Sequence, residues 1–233
     1  MQHLPTEALI ARLRALHLGS AVEPALQLAV DRNAGRMRPL SDQPYLYHLV
    51  EVAVQIVEVF GIRDEIATVI ALWHDLLEDD QISRDELLHY INTRPALVRL
   101  GDLLPLLDGL NRHNKTTEQY YSTIAILPPQ AFWVKTSDLL SNTKPMPLLD
   151  WQRLKPRWIA KYSVELAREV LDVGRFEQKR AYPTIRNALL DVQQRLISGL
   201  QNDEDRWHEI AAYDPRFISS AQRLLNLELG SRA

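Results

Sequence analysis

The sequence contains no cysteine. Disulfides, thiolate metal sites and cysteine nucleophiles are therefore excluded, and any metal must be held by His, Asp, Glu or water. No apolar run approaches the roughly 20 residues that cross a bilayer. The first twenty residues interleave Glu7, Arg12 and Arg14 with apolar positions and so lack the apolar core of a signal peptide. An excess of charge of either sign is also missing. Lys and Arg number 27 and Asp and Glu 30, a net charge of −3, which argues against a dedicated nucleic-acid or anionic-membrane binder. The expectation is a cytoplasmic protein with neither nucleic acid nor membrane as partner. Only 8 glycines occur in 233 residues, and most of the 13 prolines fall between periodic segments, so long helices meet few breakers.

What the sequence does have is helical periodicity. Leu49, Val52, Ala53, Ile56, Val57 and Phe60 recur at helical spacing, with Gly61 where a helix-terminating residue belongs. Ile66, Val69, Ile70, Trp73 and Leu77 form the next stripe. Ser20 to Glu23, Ser83 to Glu86 and Thr116 to Gln119 have the form of capping boxes. Proline at 129 and 215 suits first helical positions. Helices are predicted near 6–16, 21–32, 46–60, 63–78, 84–92, 96–109, 117–126, 129–141, 151–173 and 176–199, with shorter ones near 204–212 and 216–229. The fold class is all-α, a single-domain helical bundle of about ten or more helices. A seam is expected at Gly174, dividing a domain of residues 1–174 from a helical extension of 175–233. In that extension Ile185, Leu189, Val192 and Leu196 make a narrow apolar stripe, which packs either inside the chain or against a second copy in a homodimer.

Chemistry-bearing residues gather in three segments. His74-Asp75 and Glu78-Asp79 close the fourth helix, where i, i+4 spacing pairs His74 with Glu78 and Asp75 with Asp79. His48 lies near the start of the third helix, and Asp138 and Asn142 share a face of the eighth. With 7 His and 16 Asp, about 0.5 His-Asp dipeptides arise by chance, so the dipeptide alone carries little. The joint occurrence carries more, because buried carboxylates on apolar helices call for a compensating cation. Imidazoles and carboxylates without sulfur suit Mn²⁺, and Fe²⁺, Co²⁺ or Zn²⁺ could also enter such a site.

Three stretches, Tyr45 to Ala53, His74 to Asp79 and Lys135 to Asn142, resemble the signature segments of the HD-type alarmone hydrolases. That family comprises the hydrolase half of the bacterial RelA/SpoT homologues and the stand-alone small alarmone hydrolases, including the animal type. The resemblance covers about residues 25–173, and Asp108-Gly109-Leu110 resembles a further family segment. It implies an HD-domain fold and a metal-dependent hydrolase of the stringent-response alarmone (p)ppGpp, which loses its 3′-pyrophosphate to give GDP or GTP. By this resemblance His48, His74, Asp75 and Asp138 are manganese ligands and Glu78 and Asp79 the catalytic acids. Asn142 and Tyr162 would hold ribose and phosphates. Arg36 and Arg38 stand in the loop where the family places an Arg-Lys pair against the purine, and Lys115 and Lys161 are candidate phosphate ligands. The loop is longer here and its arginines are two apart, so guanine and adenine alarmones both stay open; Leu139 replaces a family arginine after the third-motif aspartate, a departure that bears on support of the site or phosphate contact. Alternative readings are a phosphohydrolase acting on (p)ppApp or NADPH, or a non-catalytic nucleotide-binding or interaction module. The residues after Gly174 are too few to form a synthetase domain.

Overall fold

The computed structural model describes residues 5–38, 43–148, 154–171, 175–200 and 203–227. It is an all-α helical bundle with thirteen α-helices among the described residues; extended pairing there is confined to one isolated antiparallel bridge, between Met37 and Pro44. No described helix is long and apolar enough to cross a membrane. The chain divides into two compact units, Met1–Ser137 and Asp138–Ala233. The seam expected at Gly174 lies outside the described residues, and the helix expected over 151–173 begins only at Pro156, whose ring suits a first helical position.

In the first unit, α1 (Thr6–Ala15), α2 (Val22–Arg32), α3 (Tyr45–Glu58) and α4 (Glu65–Trp73) supply most of the core. The stripe on α3 is buried as its spacing predicts. Gly61, at φ +70°, ends the run after α3, and the Ile62 amide reaches back to the Ile56 carbonyl at 3.0 Å, a Schellman-type closure. The short link from Val59 to Asp64 turns α4 back alongside α3. Asp64 then caps α4, its carboxylate accepting the Ala67 amide at 2.7 Å. Trp73 is fully buried and donates its indole N–H to the Ala25 carbonyl.

The capping boxes at Ser83 and Thr116 form as expected, opening α5 (Arg84–Asn92) and α8 (Thr117–Ile126). The one expected at Ser20 does not. Glu65 accepts the Ala21 amide at 2.7 Å, while Glu23 pairs with Arg14, so a distant carboxylate does the capping. The helix predicted over 96–109 is two pieces, α6 (Pro95–Val98) and α7 (Leu104–Leu110), parted at Gly101, whose φ is +81°. The rest of the first unit is the first half of α9 (Pro129–Thr143), tied to α3 by Ser137, which donates to the Val52 carbonyl at 2.9 Å.

The second unit holds the end of α9, then α10 (Pro156–Glu165), α11 (Tyr182–Leu200), α12 (Glu204–Tyr213) and α13 (Phe217–Asn226). A π-helical turn, Leu166–Val170, extends α10. The helix predicted from residue 176 starts instead at Tyr182, after Ala181 in the left-handed region at φ +63°. The stripe Ile185, Leu189, Val192 and Leu196 is buried within this chain, and Gln194 ties α11 to α13 through the Leu224 and Leu227 carbonyls.

Candidate metal centre

Antiparallel packing of α3 and α4 brings the first turn of one beside the last turn of the other, and so brings together histidines 26 positions apart in the sequence. His48 and His74 are both buried, with ring centroids 5.4 Å apart. α4 stops at Trp73, five residues short of the predicted end, and residues 74–80 follow as successive turns. The early stop has a local cause. The last carbonyls of a helix have no intrahelical partner, and His74 Nδ1 lies 2.8 Å from the Ala71 oxygen. A carbonyl can only accept, so Nδ1 bears the proton, and in the neutral tautomer the lone pair then lies at Nε2.

That lone pair faces an oxygen. His74 Nε2 lies 3.2 Å and His48 Nε2 3.8 Å from Asp75 Oδ2. One ligand atom from each of the three residues lies within 4.8 Å of the other two. Donors about 2.1 Å from a shared ion stand roughly 3–4 Å apart, so these spacings fit a single divalent cation. The chemistry fits as well: a neutral imidazole lone pair and a carboxylate oxygen repel at 3.2 Å unless a proton or cation lies between them.

Tyr45, three residues before His48, completes the cluster. Its hydroxyl donates to Asp75 Oδ2 at 2.6 Å, and its ring meets that of His48 edge-on at 5.6 Å. Three residues apart on α3, Tyr45 and His48 share a face, and the Tyr45 hydroxyl orients Asp75. Hydrogen bonds that orient a ligand typically contribute 10–100-fold to metal affinity. Tyr45→Phe is therefore expected to weaken Mn²⁺ binding about tenfold with the fold intact, as read by calorimetric titration beside a circular dichroism spectrum.

The acidic pair follows on the turns. Glu78 Oε2 accepts the Arg112 backbone amide at 3.2 Å, which ties it to the loop after α7. Asp79 Oδ2 accepts from Arg36 Nη2 at 2.7 Å. Gly109, in the Asp108-Gly109-Leu110 segment, has a packing role, since a Cβ there would stand 2.1 Å from Leu127 Cδ1. Lys115 caps α7, donating to the Asp108 and Asn111 carbonyls at 2.9 and 2.7 Å. Burial lowers the Lys115 pKa, and the charges of Asp108 and Glu78 oppose that shift. Arg112, Lys115 and Lys135 stand 5.5, 6.0 and 5.5 Å from the centre of the Tyr120 ring.

Of the two loop arginines, Arg38 points inward. Its side chain is 6% exposed and lies 3.7 Å from Glu51, a buried charge with a charged partner. Arg36 is more open, resting 4.3 Å over the Tyr45 ring. The remaining expected residues belong to the second unit. Asp138 opens it, its carboxylate accepting from Asn142 Nδ2 at 2.6 Å, so the two share a helix face as their spacing requires. Lys161 and Tyr162 are neighbours on α10, with the ammonium 5.2 Å from the phenol ring.

The chain matches no protein-family model, and no curated protein is significantly similar to it.

Proposed function

We propose that this protein is a divalent-metal-dependent phosphohydrolase that removes the 3′-pyrophosphate of (p)ppGpp, releasing GDP or GTP. The observation that carries the reading is the His48-His74-Asp75 cluster, with an imidazole lone pair fixed toward a carboxylate by the Ala71 carbonyl. The resemblance of its three signature segments to HD-type alarmone hydrolases supplies the reaction.

In this reading His48, His74 and Asp75 hold the ion, with Mn²⁺ suited to the donor set, and the resemblance alone names Asp138 as a further ligand. When bound, the ion screens phosphate charge and makes water acidic enough to attack phosphorus at neutral pH. Tyr45 keeps Asp75 turned toward the two imidazoles. Glu78, steadied by the Arg112 amide, takes the proton of the attacking water. By the same resemblance Asn142, Tyr162 and Lys161 would contact ribose and phosphate and Arg36 the nucleotide, whereas Arg38 is buried against Glu51 and does not face one.

The test is a substrate panel of ppGpp, ppApp and NADPH, with Mn²⁺ or with EDTA. Pyrophosphate release from ppGpp in manganese alone is the expected result. A larger kcat/KM on NADPH or ppApp would move the substrate assignment while keeping the site. No turnover of any of the three by metal-loaded protein would leave a binding module.

A further inference from the structure

Arg36 is held on three sides. Its Nη1 donates to Asn33 Oδ1 at 3.0 Å, and Asn33 is itself buried and anchored to the Ala29 carbonyl at 2.9 Å. The guanidinium lies 4.3 Å over the Tyr45 ring, and the Arg36 carbonyl accepts the Tyr45 amide at 2.8 Å. One edge is left, and there Nη2 meets Asp79 Oδ2 at 2.7 Å. A rigid, planar, always-charged group with one edge offered to an oxygen anion is what phosphate recognition requires, and a carboxylate oxygen is chemically a stand-in for a phosphate oxygen. The stand-in is weakly held. The two side chains are 36% and 33% exposed, and ion pairs so open to water contribute little.

From this geometry we infer that Arg36 is an anion receptor for the substrate's phosphate groups and that Asp79 masks it until a phosphate takes the carboxylate's place. The inference rests on the phosphohydrolase reading for its substrate class and adds a competition that the reading does not contain. A phosphate group displaces Asp79 from Nη2 because it carries more negative charge than a single carboxylate. The exchange then releases the Asp79 carboxylate beside Glu78. Binding and unmasking are thereby the same event, and both pass through a side chain stacked on the tyrosine that orients Asp75.

The test is calorimetric titration with inorganic pyrophosphate in EDTA at low salt, so that no ion contributes. Asp79→Asn is expected to tighten pyrophosphate binding about two- to fivefold, which is the range an exposed ion pair can withhold. Arg36→Ala should weaken it roughly tenfold, the scale of a charge-assisted hydrogen bond. The Arg36→Ala/Asp79→Asn double variant should bind no tighter than Arg36→Ala alone. Asp80→Asn removes the same charge from the adjacent exposed position and should leave binding nearly unchanged. Equal tightening by Asp80→Asn, a gain that survives in the double variant, or no pyrophosphate binding at millimolar concentration each overturns the mask. Turnover with Mn²⁺ is measured separately. A protein that hydrolyses ppGpp without showing the Asp79→Asn gain loses only the mask, and one that shows the gain without hydrolysis loses only the enzymatic reading.

Discussion

His74→Ala is expected to lower Mn²⁺ affinity by a hundredfold or more and to lose turnover with it. The residue acts at both ring nitrogens. Nδ1 caps the last turn of α4 through the Ala71 carbonyl, and that bond aims the Nε2 lone pair at Asp75 Oδ2, 3.2 Å away. Orienting partners alone are worth about 10–100-fold in metal affinity, so deletion of a ligand should cost at least the upper end. Metal that binds only the folded protein stabilises it, by about 2.7 kcal/mol at a hundredfold excess over Kd. The wild-type melting temperature should therefore rise on adding Mn²⁺, while that of the variant stays flat. Because His74 is buried and caps a helix, alanine there also costs stability. Asp75→Asn separates the two effects: its carbonyl oxygen still accepts the Tyr45 hydroxyl, but the charge is gone. It should melt close to wild type without metal and show little response to Mn²⁺. A full manganese shift in both variants would remove the metal centre, and the hydrolase reading with it.

The helices were legible in the sequence wherever burial and local capping agree. The α3 stripe, the Gly61 stop and the boxes at Ser83 and Thr116 depend on neighbours within a few residues, and those stand as the spacing implies. Ser20 misled because the carboxylate that reaches the Ala21 amide belongs to Glu65, 44 residues away, and no local pattern encodes it. The α4 end misled for a related reason. Leu77 continues the apolar period, but the His74 ring takes the Ala71 carbonyl and the chain leaves the helix early. Periodicity reports which face is buried and says nothing of a side chain that competes for the backbone.

In the site, the resemblance named His48, His74 and Asp75 together with Asp138, and the first three do meet, because antiparallel helices joined by a short link bring those ends together. Side-chain partners were less legible. Lys115, a candidate phosphate ligand by sequence, spends its donors on the α7 carbonyls. Arg38, two residues from Arg36 in the same loop, faces Glu51 instead of solvent. Asp79, grouped with Glu78 as half of an acidic pair, is joined to an arginine 43 positions earlier. Each of these depends on how the loops between helices fold, where hydrophobic periodicity carries no information.

That difference between the two acids makes the role of Glu78 testable apart from that of Asp79. Asp79 has its charge matched by Arg36, which weakens it as a base while the pair lasts. Glu78 accepts the Arg112 backbone amide on Oε2, a bond that orients its carboxylate. Glu78→Gln keeps size and an oxygen to accept the Arg112 amide, and removes the charge together with the capacity to take a proton. It should bind Mn²⁺ as wild type does and lose about 10²–10⁴-fold in kcat, the usual contribution of a positioned general base. KM should change little, because the loop that Glu78 holds stays in place. Stopped time courses of pyrophosphate release with saturating Mn²⁺ give the rate, and calorimetry on the same protein gives the metal affinity. A rate within a few-fold of wild type would pass the role to Asp79. Asp79→Asn would then have to show the kcat loss, in the same protein whose pyrophosphate affinity reports on Arg36.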